Sequence, residues 1–498
     1  MTLTRSAALL TLTLTLALSA CGGGGGSSGG GGGNPDPLPA TYAFESRFDQ
    51  GRSSVSYNGQ VSRQILIQEM VDIMEGLTAE IDGGSNPADG DTFDRLNFIV
   101  NYDNTVTPGK MHTITTTPPV LDSTYDAIDT GKNLIDKLAG NDASTDHKDW
   151  DANGNFVGWS DTSIAASGGS VNTPAGLLTA FLQTLDDLAV DRANGTIPNI
   201  PGTSTPIPSV TVTASGLDLR QLIQKFLLMA VNYSQGTDDY LDDATPNKGL
   251  LTDNSSRQSG TAAWSTLEHQ WDEGWGYFGA ARNYGDYTDA EIAGAGGRSD
   301  YQVYNDANND GFIDLTSEFN FGASTNAAKR DRGSDPAAPT DFTAQAFEGF
   351  RRGRKIIHDA VGRSLTADEL TALQAARDRA VLAWEKAIAA TVVHYINDVL
   401  QDMNDFGTGS YSFINHAKHW AELKGFALGL QFNPRSQLTD SEFAMFHTLV
   451  GDSPVLETAT AMTIDNYKQA LRDARTILGN AYNFAPENLG DADGNNGW

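Results

Sequence analysis

One pattern occurs twice in this chain. Trp271-x-Glu273-x-x-Gly276-Tyr277 stands within EHQWDEGWGYFG, and Trp420-x-Glu422-x-x-Gly425-Phe426 within HAKHWAELKGFALG. A histidine lies just ahead of each, His269 and His419. Such recurrence points to two related helical halves. On a helix, residues three and four apart share a face. His269, Asp272 or Glu273, and Gly276 then line one face, and Trp271, Trp275 and Phe278 another. In the second copy His416, His419 and Glu422 climb one side. The glycine admits a neighbouring helix and the rings fill a core. Two readings stay open. The pattern is a packing device whose glutamate caps or pairs, or it holds a metal through His/Glu pairs at helical spacing.

Most of the body reads as helix. Apolar residues at three- and four-residue steps predict helices over Gln60–Ile81, Asp122–Leu138, Ala175–Leu188, Leu217–Tyr233, Ala262–Tyr277, Thr340–Val361, Ala367–Met403, Phe413–Leu430, Asp440–Val450 and Thr463–Asn483. The segments Tyr102–Val120 and Ile197–Thr213, rich in Thr and Pro, read as long loops with short added strands. The expected fold is mainly α: a duplicated antiparallel helical bundle with long polar loops.

Asp306-x-Asn308-x-Asp310-Gly311-Phe312-Ile313-Asp314 follows an EF-hand-type calcium loop through its ninth position. Asp306, Asn308 and Asp310 offer side-chain oxygens, Phe312 a carbonyl, and Asp314 a direct or water-mediated ligand, while Ile313 plugs the core. The closing acid, Glu318, comes one residue late. A weaker version begins at Asp149, with Asp151, Asn153 and Asp161. Asp491-x-Asp493-Gly494 reads as a frayed tail.

The first residues read as targeting. Arg5 precedes a short apolar run ending in Leu18-Ser19-Ala20-Cys21, which resembles a bacterial lipobox with Cys21 as the lipidated residue. Cys21 is the only cysteine, so no intrachain disulfide and no thiolate metal site is expected. Residues 1–20 are thus a signal peptide and 21–41 a Gly/Ser/Pro-rich tether. Residues 42–490 form the helical body, with related halves of about 42–300 and 301–490. Gly22 after the cysteine favours the outer membrane. The formal net charge of -30 argues against nucleic acid and is compatible with cationic ligands.

The basic run Phe350–Lys355 reads as an exposed helix face paired with acids. His358 and His394 read as single helical histidines. The helical body has no GxSxG, HExxH or P-loop, so no hydrolase or nucleotide-dependent class is supported.

HQWDEGWGYFG, DANNDGFIDLTSEFNFG and HAKHWAELKGFALGLQFNP, with YAFESRF near the start, resemble the family called domain of unknown function 4856, from Tyr42 to Tyr482. The resemblance implies a bacterial surface lipoprotein. A looser similarity is to imelysin-type two-bundle proteins, linked to iron uptake, with a GxHxxE signature. His419-x-x-Glu422 keeps its His/Glu spacing, with Ala417 in place of the glycine.

The expected function is that of a membrane-tethered lipoprotein binding a metal or metal complex, in iron acquisition, with a structural calcium. His269, Glu273, His416, His419 and Glu422 are the candidate residues for iron or another transition metal. The alternatives are a metal-dependent hydrolase or peptidase using Glu273 or Glu422, and a non-catalytic partner of another envelope protein. The expected contacts are the lipid bilayer, through acylated Cys21, and a metal or envelope protein.

Overall fold

The structure is a computed structural model describing residues 37–141, 150, 155–333 and 338–498. Cys21, most of the tether, and Asp149, Asp151 and Asn153 of the weaker acidic loop lie outside these. The helices in order are α1 (Asn58–Asp82), α2 (Asp91–Val100), α3 (Tyr125–Ile128), α4 (Pro174–Ala193), α5 (Leu219–Leu227), α6 (Thr266–Phe278) and α7 (Asp289–Ile292). They continue as α8 (Gly322–Arg330), α9 (Phe342–Asp359), α10 (Ala367–Asn404), α11 (Phe413–Leu428), α12 (Asp440–Val450), α13 (Ala461–Ala481) and α14 (Pro486–Leu489). Only isolated β-bridges join the loops, so the described residues are mainly helical, without strands. None of the described helices is long and apolar enough to cross a membrane.

The starts of the helices follow from local chemistry. Thr173 caps α4 ahead of Pro174, and reciprocal Ser/Thr–Glu boxes open α6, α10 and α12 at Ser265, Thr366 and Thr439. α10 is the central element, flanked by α9, α11, α8 and α13. Its middle is buried all round, with Ala383, Ala387, Ala389 and Ala390 keeping it slim enough for neighbours to close in. α11 rests on α5, which also packs on α1, and α1 packs on α6.

Four expectations are corrected. Asp122–Leu138 is not one helix. α3 ends at Asp129, whose backbone is extended, and Gly131 takes φ +66 before a short turn at Ile135–Lys137. α2 and α8 are additional helices. The predicted Leu217–Tyr233 helix instead starts after its cap, Asp218, and runs on as wider π-type turns to Tyr240. The tail at Asp491 is not frayed: Arg475 donates to the Asp491 carbonyl at 2.7 Å, and Gln401 to the Gly494 carbonyl at 2.6 Å.

Arg354 is fully buried and joins three elements. It donates to Glu268 at 2.7 Å and to Asp272 at 2.8 Å, both on α6, and to the Ser54 hydroxyl at 2.7 Å. Tyr42 adds a 2.7 Å hydrogen bond to Asp272. Arg352 and Lys355 pair with acids on the surface as expected of their run, whereas Arg354 departs from it because α9 turns that residue inward. Burial is the largest influence on Glu268 and opposes its ionisation, but the Arg354 charge together with hydrogen bonds from His358, the Ser265 amide and Arg354 outweighs it and holds the group at about 2; for Asp272 burial dominates and its pKa is raised. Glu385 is a second hub, accepting from Tyr233, Tyr482, Ser436, Asn433 and the Gln437 amide.

Arg354→Met leaves two buried carboxylates without their cation. Urea unfolding should show a loss of about 3–5 kcal/mol, since breaking a buried pair strands a charge. A loss no greater than that of a surface Arg352→Met control would mean the cluster is not an anchor. Asp331 offers a pH test. Its carboxylate accepts from the first amides of α9, yet burial pushes its pKa up from 3.8 to about 7. A carboxyl raised on folding gives stability that is complete below the unfolded value and is lost as pH rises through the folded one. Wild-type stability should therefore fall more steeply between these values than that of Asp331→Asn; equal slopes would contradict the assignment.

Candidate functional site

The two copies of the repeated pattern carry out the same mechanical task. In the first, the Trp271 indole N–H donates to the Phe350 carbonyl of α9 at 2.9 Å. Gly276 faces the start of α1: an added Cβ would lie 2.8 Å from the Cβ atoms of Gln60 and Tyr57. Gln60 then donates to Glu273 at 3.0 Å. In the second, the Trp420 indole donates to the Tyr467 hydroxyl of α13 at 2.8 Å. Gly425 faces α5, with an added Cβ 2.7 Å from that of Lys225, and the Lys225 ammonium lies 3.5 Å from Glu422. In each copy the indole ties down one neighbour, the glycine admits another, and the glutamate meets a donor from the admitted helix. These contacts support the packing reading.

The five candidate metal residues fall into two separate groups. His269 stacks on Trp264, its Nδ1 lies 3.0 Å from the Ser56 carbonyl, and its Nε2 is 3.8 Å from Glu273. Glu273 also accepts from Gln270 at 3.2 Å. These partners lie on α6, just before α6 or just before α1.

His416, His419 and Glu422 meet a different set. α10 presents His394, Asp398 and Asp402 at four-residue steps, and α11 lies alongside. The result is an alternating ladder. His394 Nε2 is 3.3 Å from Asp398, which is 3.9 Å from His419 Nε2; His419 Nδ1 is 2.8 Å from Asp402, which is 3.8 Å from His416 Nδ1. Burial pushes the imidazoles of His394 and His416 down to about 4. Burial is the largest influence on His419 and works against its charge, but the hydrogen bond and charge of Asp402 with the charges of Asp398 and Glu422 together outweigh it, and its pKa is raised. Several polar atoms here are buried without a hydrogen bond: both ring nitrogens of His416, His394 Nδ1, Glu422 Oε2 and Arg330 Nε.

Asp398, Asp402 and Arg330 were not singled out in the sequence, and His394 was read only as a single helical histidine. The one signal was the four-residue spacing of His394, Asp398 and Asp402, and it is hidden by the length of α10, where every fourth residue belongs to some stripe. Arg330 had no signal, since α8 is too short and polar to read as a helix.

The 306–318 loop is closed by its own oxygens. Asp306 accepts from the amides of Asp310 and Gly311 at 3.1 and 3.0 Å, and Asp310 from Phe312 at 2.9 Å. Gly311 takes φ +86, and Ile313 is fully buried, paired through its backbone with Pro119 and Leu121. Glu318 folds back by a turn rather than a helix, since α8 begins only at Gly322. Its two oxygens accept from Ala307, Asn308 and Asp314. The Phe312 side chain is exposed to solvent.

Asp89, Asp186 and Asp187 are the only group of three or more His, Cys, Asp or Glu side chains among the described residues whose ligand atoms all lie within 4.8 Å of one another. Asp186 is already engaged there as the acceptor for Gly90, Thr92 and Phe93 at the start of α2.

Residues 184–293 match the family model described as Domain of unknown function (DUF4856). The match is confined to this segment. It runs from within α4 to the end of α7 and includes the first copy of the pattern, so the first family resemblance is supported there; the ladder and the 306–318 loop lie beyond the DUF4856 match. No curated protein and no solved structure matches the chain.

If the glycines serve close approach, Gly276→Ala and Gly425→Ala should each cost about 1–3 kcal/mol, as overpacking does. Urea melts measure this, and two neutral substitutions would remove the packing account of the repeat.

Proposed function

We propose that this protein is a lipid-tethered, non-enzymatic component of the bacterial envelope, anchored through Cys21 and favouring the outer membrane, that binds a transition metal or metal complex between α10 and α11. The observation that carries the reading is the ladder of His394, Asp398, His419, Asp402 and His416. Imidazole nitrogen and carboxylate oxygen together suit iron, zinc and similar borderline metals. The ladder retains His416 and His419 of the candidate set, puts Glu422 beside them, and leaves His269 and Glu273 to packing. Its donors form a line rather than a cage. An ion between His419 and His416 would take Asp402 from its present hydrogen bond with His419. Iron is the metal implied by the imelysin-type likeness, and iron acquisition is the process this binding would serve.

Calcium has a separate, structural role at Asp306, Asn308, Asp310, Phe312, Asp314 and Glu318. The loop oxygens are spent on the loop's own amides, and an ion there would gather carboxylates that otherwise repel. The His/Asp ladder and this loop thus take different ions by hardness of donor.

Elemental mass spectrometry of the tether-free body, after EDTA dialysis and reloading, tests both parts. About one transition-metal ion per chain is expected, as one ladder can hold, lost in His419→Ala and Asp402→Asn with the circular dichroism unchanged. Calcium should persist in those variants and disappear in Asp310→Ala. Transition metal retained by His419→Ala, or none bound by the wild type, would refute the ladder as the site.

A further inference from the structure

A cleft of about 400 Å³ opens between α1, α5 and α8, and no residue of the His/Asp ladder or of the 306–318 loop lines it. Two departures from ordinary backbone geometry meet in its lining. Val303 takes φ +70, a left-handed conformation that a β-branched residue rarely adopts. Its amide donates to the Glu291 carbonyl at 2.8 Å, and its carbonyl accepts from the Asn320 backbone and side chain at 3.0 and 2.8 Å, so the conformation is enforced from both sides. Leu228 is the residue at which α5 gives way to wider π-type turns. Both residues line the cleft. Strained backbone and π-type turns persist where the surroundings hold them, and they gather at ligand sites.

The polar side chains of the same cleft keep bonding capacity in reserve. Lys329, in the last turn of α8, makes no hydrogen bond and no ion pair among the described residues. Gln224 of α5 accepts from Lys225 at 2.6 Å through Oε1, and its amide hydrogens have no acceptor there. Gln68 of α1 donates to Asp72 at 2.8 Å, and its Oε1 has no donor among the described residues. The Asp72 carboxylate takes Gln68 and Thr113, and meets no cation among them. Much of the remaining lining is apolar, from Ile67, Leu228, Phe319 and Phe321. One cleft thus brings together an unpaired ammonium, an amide donor, two oxygen acceptors and an apolar surface.

We infer that this cleft binds a sugar acid, a carbohydrate ring carrying one carboxylate. The carboxylate pairs with the Lys329 ammonium. The hydroxyls, each both donor and acceptor, accept from Gln224 and donate to Gln68 and Asp72. The C–H faces of the ring rest on the apolar lining. Other ligand classes leave a group unmet. A neutral sugar leaves Lys329 without a counter-charge, an amine sets its charge against Lys329, and a polycarboxylate sets a second charge against Asp72. The volume lies in the range of small-molecule pockets, where a few placed polar groups orient a ligand over an apolar surface. This site goes beyond the metal-binding reading and does not depend on it.

Isothermal titration of the purified full-length protein, in calcium-containing buffer without transition metal, tests the site. The probes are glucuronate, galacturonate and mannuronate, each against its neutral parent hexose, with glucose 6-phosphate and acetate beside them. At least one uronate should bind about tenfold or more tightly than its parent hexose, the gain expected of a charge-assisted contact. Lys329→Gln should bring that uronate down to the level of the hexose, and Lys329→Arg, which keeps the charge, should retain most of the preference. Gln224→Leu should weaken uronate and hexose by the same factor, because the hydroxyl contact is common to both. Circular dichroism and thermal melts check that the variants are folded. If none of the three uronates binds, or if folded Lys329→Gln keeps the preference for the uronate, the inference is overturned. Acetate binding as tightly as the uronate would make the cleft a plain anion site, and glucose 6-phosphate binding more tightly than any uronate would make it a phosphate site; either result overturns the sugar-acid assignment.

Discussion

The buried Arg354 guanidinium is the interaction on which the arrangement of this molecule turns. It draws Glu268 and Asp272 of α6, the Ser54 hydroxyl ahead of α1, and α9 itself to one point. Glu268 does two jobs there, closing the capping box of α6 and pairing with Arg354. The start of α6 is therefore set by the same residue that sets its distance from α9. Once α6 is placed, Trp271 reaches the Phe350 carbonyl, and Gly276 meets α1. Desolvating such a cluster is costly, so its value lies in the specificity of the joint, which no other pairing of these helices would satisfy.

A strongly acidic chain must place many carboxylates, and this one engages several of them with fixed donors. Asp186 receives the first amides of α2, Asp331 those of α9, and Glu318 those of its own loop. Glu385 is met by tyrosine, serine and asparagine side chains. These are helix termini and hydrogen-bonded hubs, where backbone dipoles and side-chain donors offset the loss of water. At the α10–α11 seam His416 and Arg330 are buried with ring or guanidinium nitrogens that have no hydrogen-bond partner, and Trp275, Tyr277 and His447 are buried in the same way elsewhere in the core.

The long helices α1, α4, α9, α10, α11, α12 and α13 were legible because their apolar stripes are long and their N-caps are strong local signals. The segment 122–138 was not, because its apolar spacing imitates a helix while Asp129 and Gly131 take conformations that end one. α8 was invisible for the opposite reason: GASTNAAKR has almost no stripe, and is helical because α7, α9 and α10 pack on it. At the site, the spacing within α11 displayed His416, His419 and Glu422 together. Their partners lay on another helix, and a periodic pattern names a face without naming what lies against it.

By itself the sequence determined the class of the fold, most of its long helices, and the paired Trp-Glu-Gly pattern, because these depend on neighbours a few residues apart. It also determined the winding of the 306–318 loop, where asparagine, aspartate and glycine act on their own backbone. Only the tertiary structure decided that the two copies of the pattern serve different seams, that Arg354 leaves its basic run for the core, and that His394, Asp398 and Asp402 stand against His416 and His419. Those outcomes depend on which helix is brought against which. That choice is made by complementary volume and charge between segments far apart in the chain, which no local spacing records.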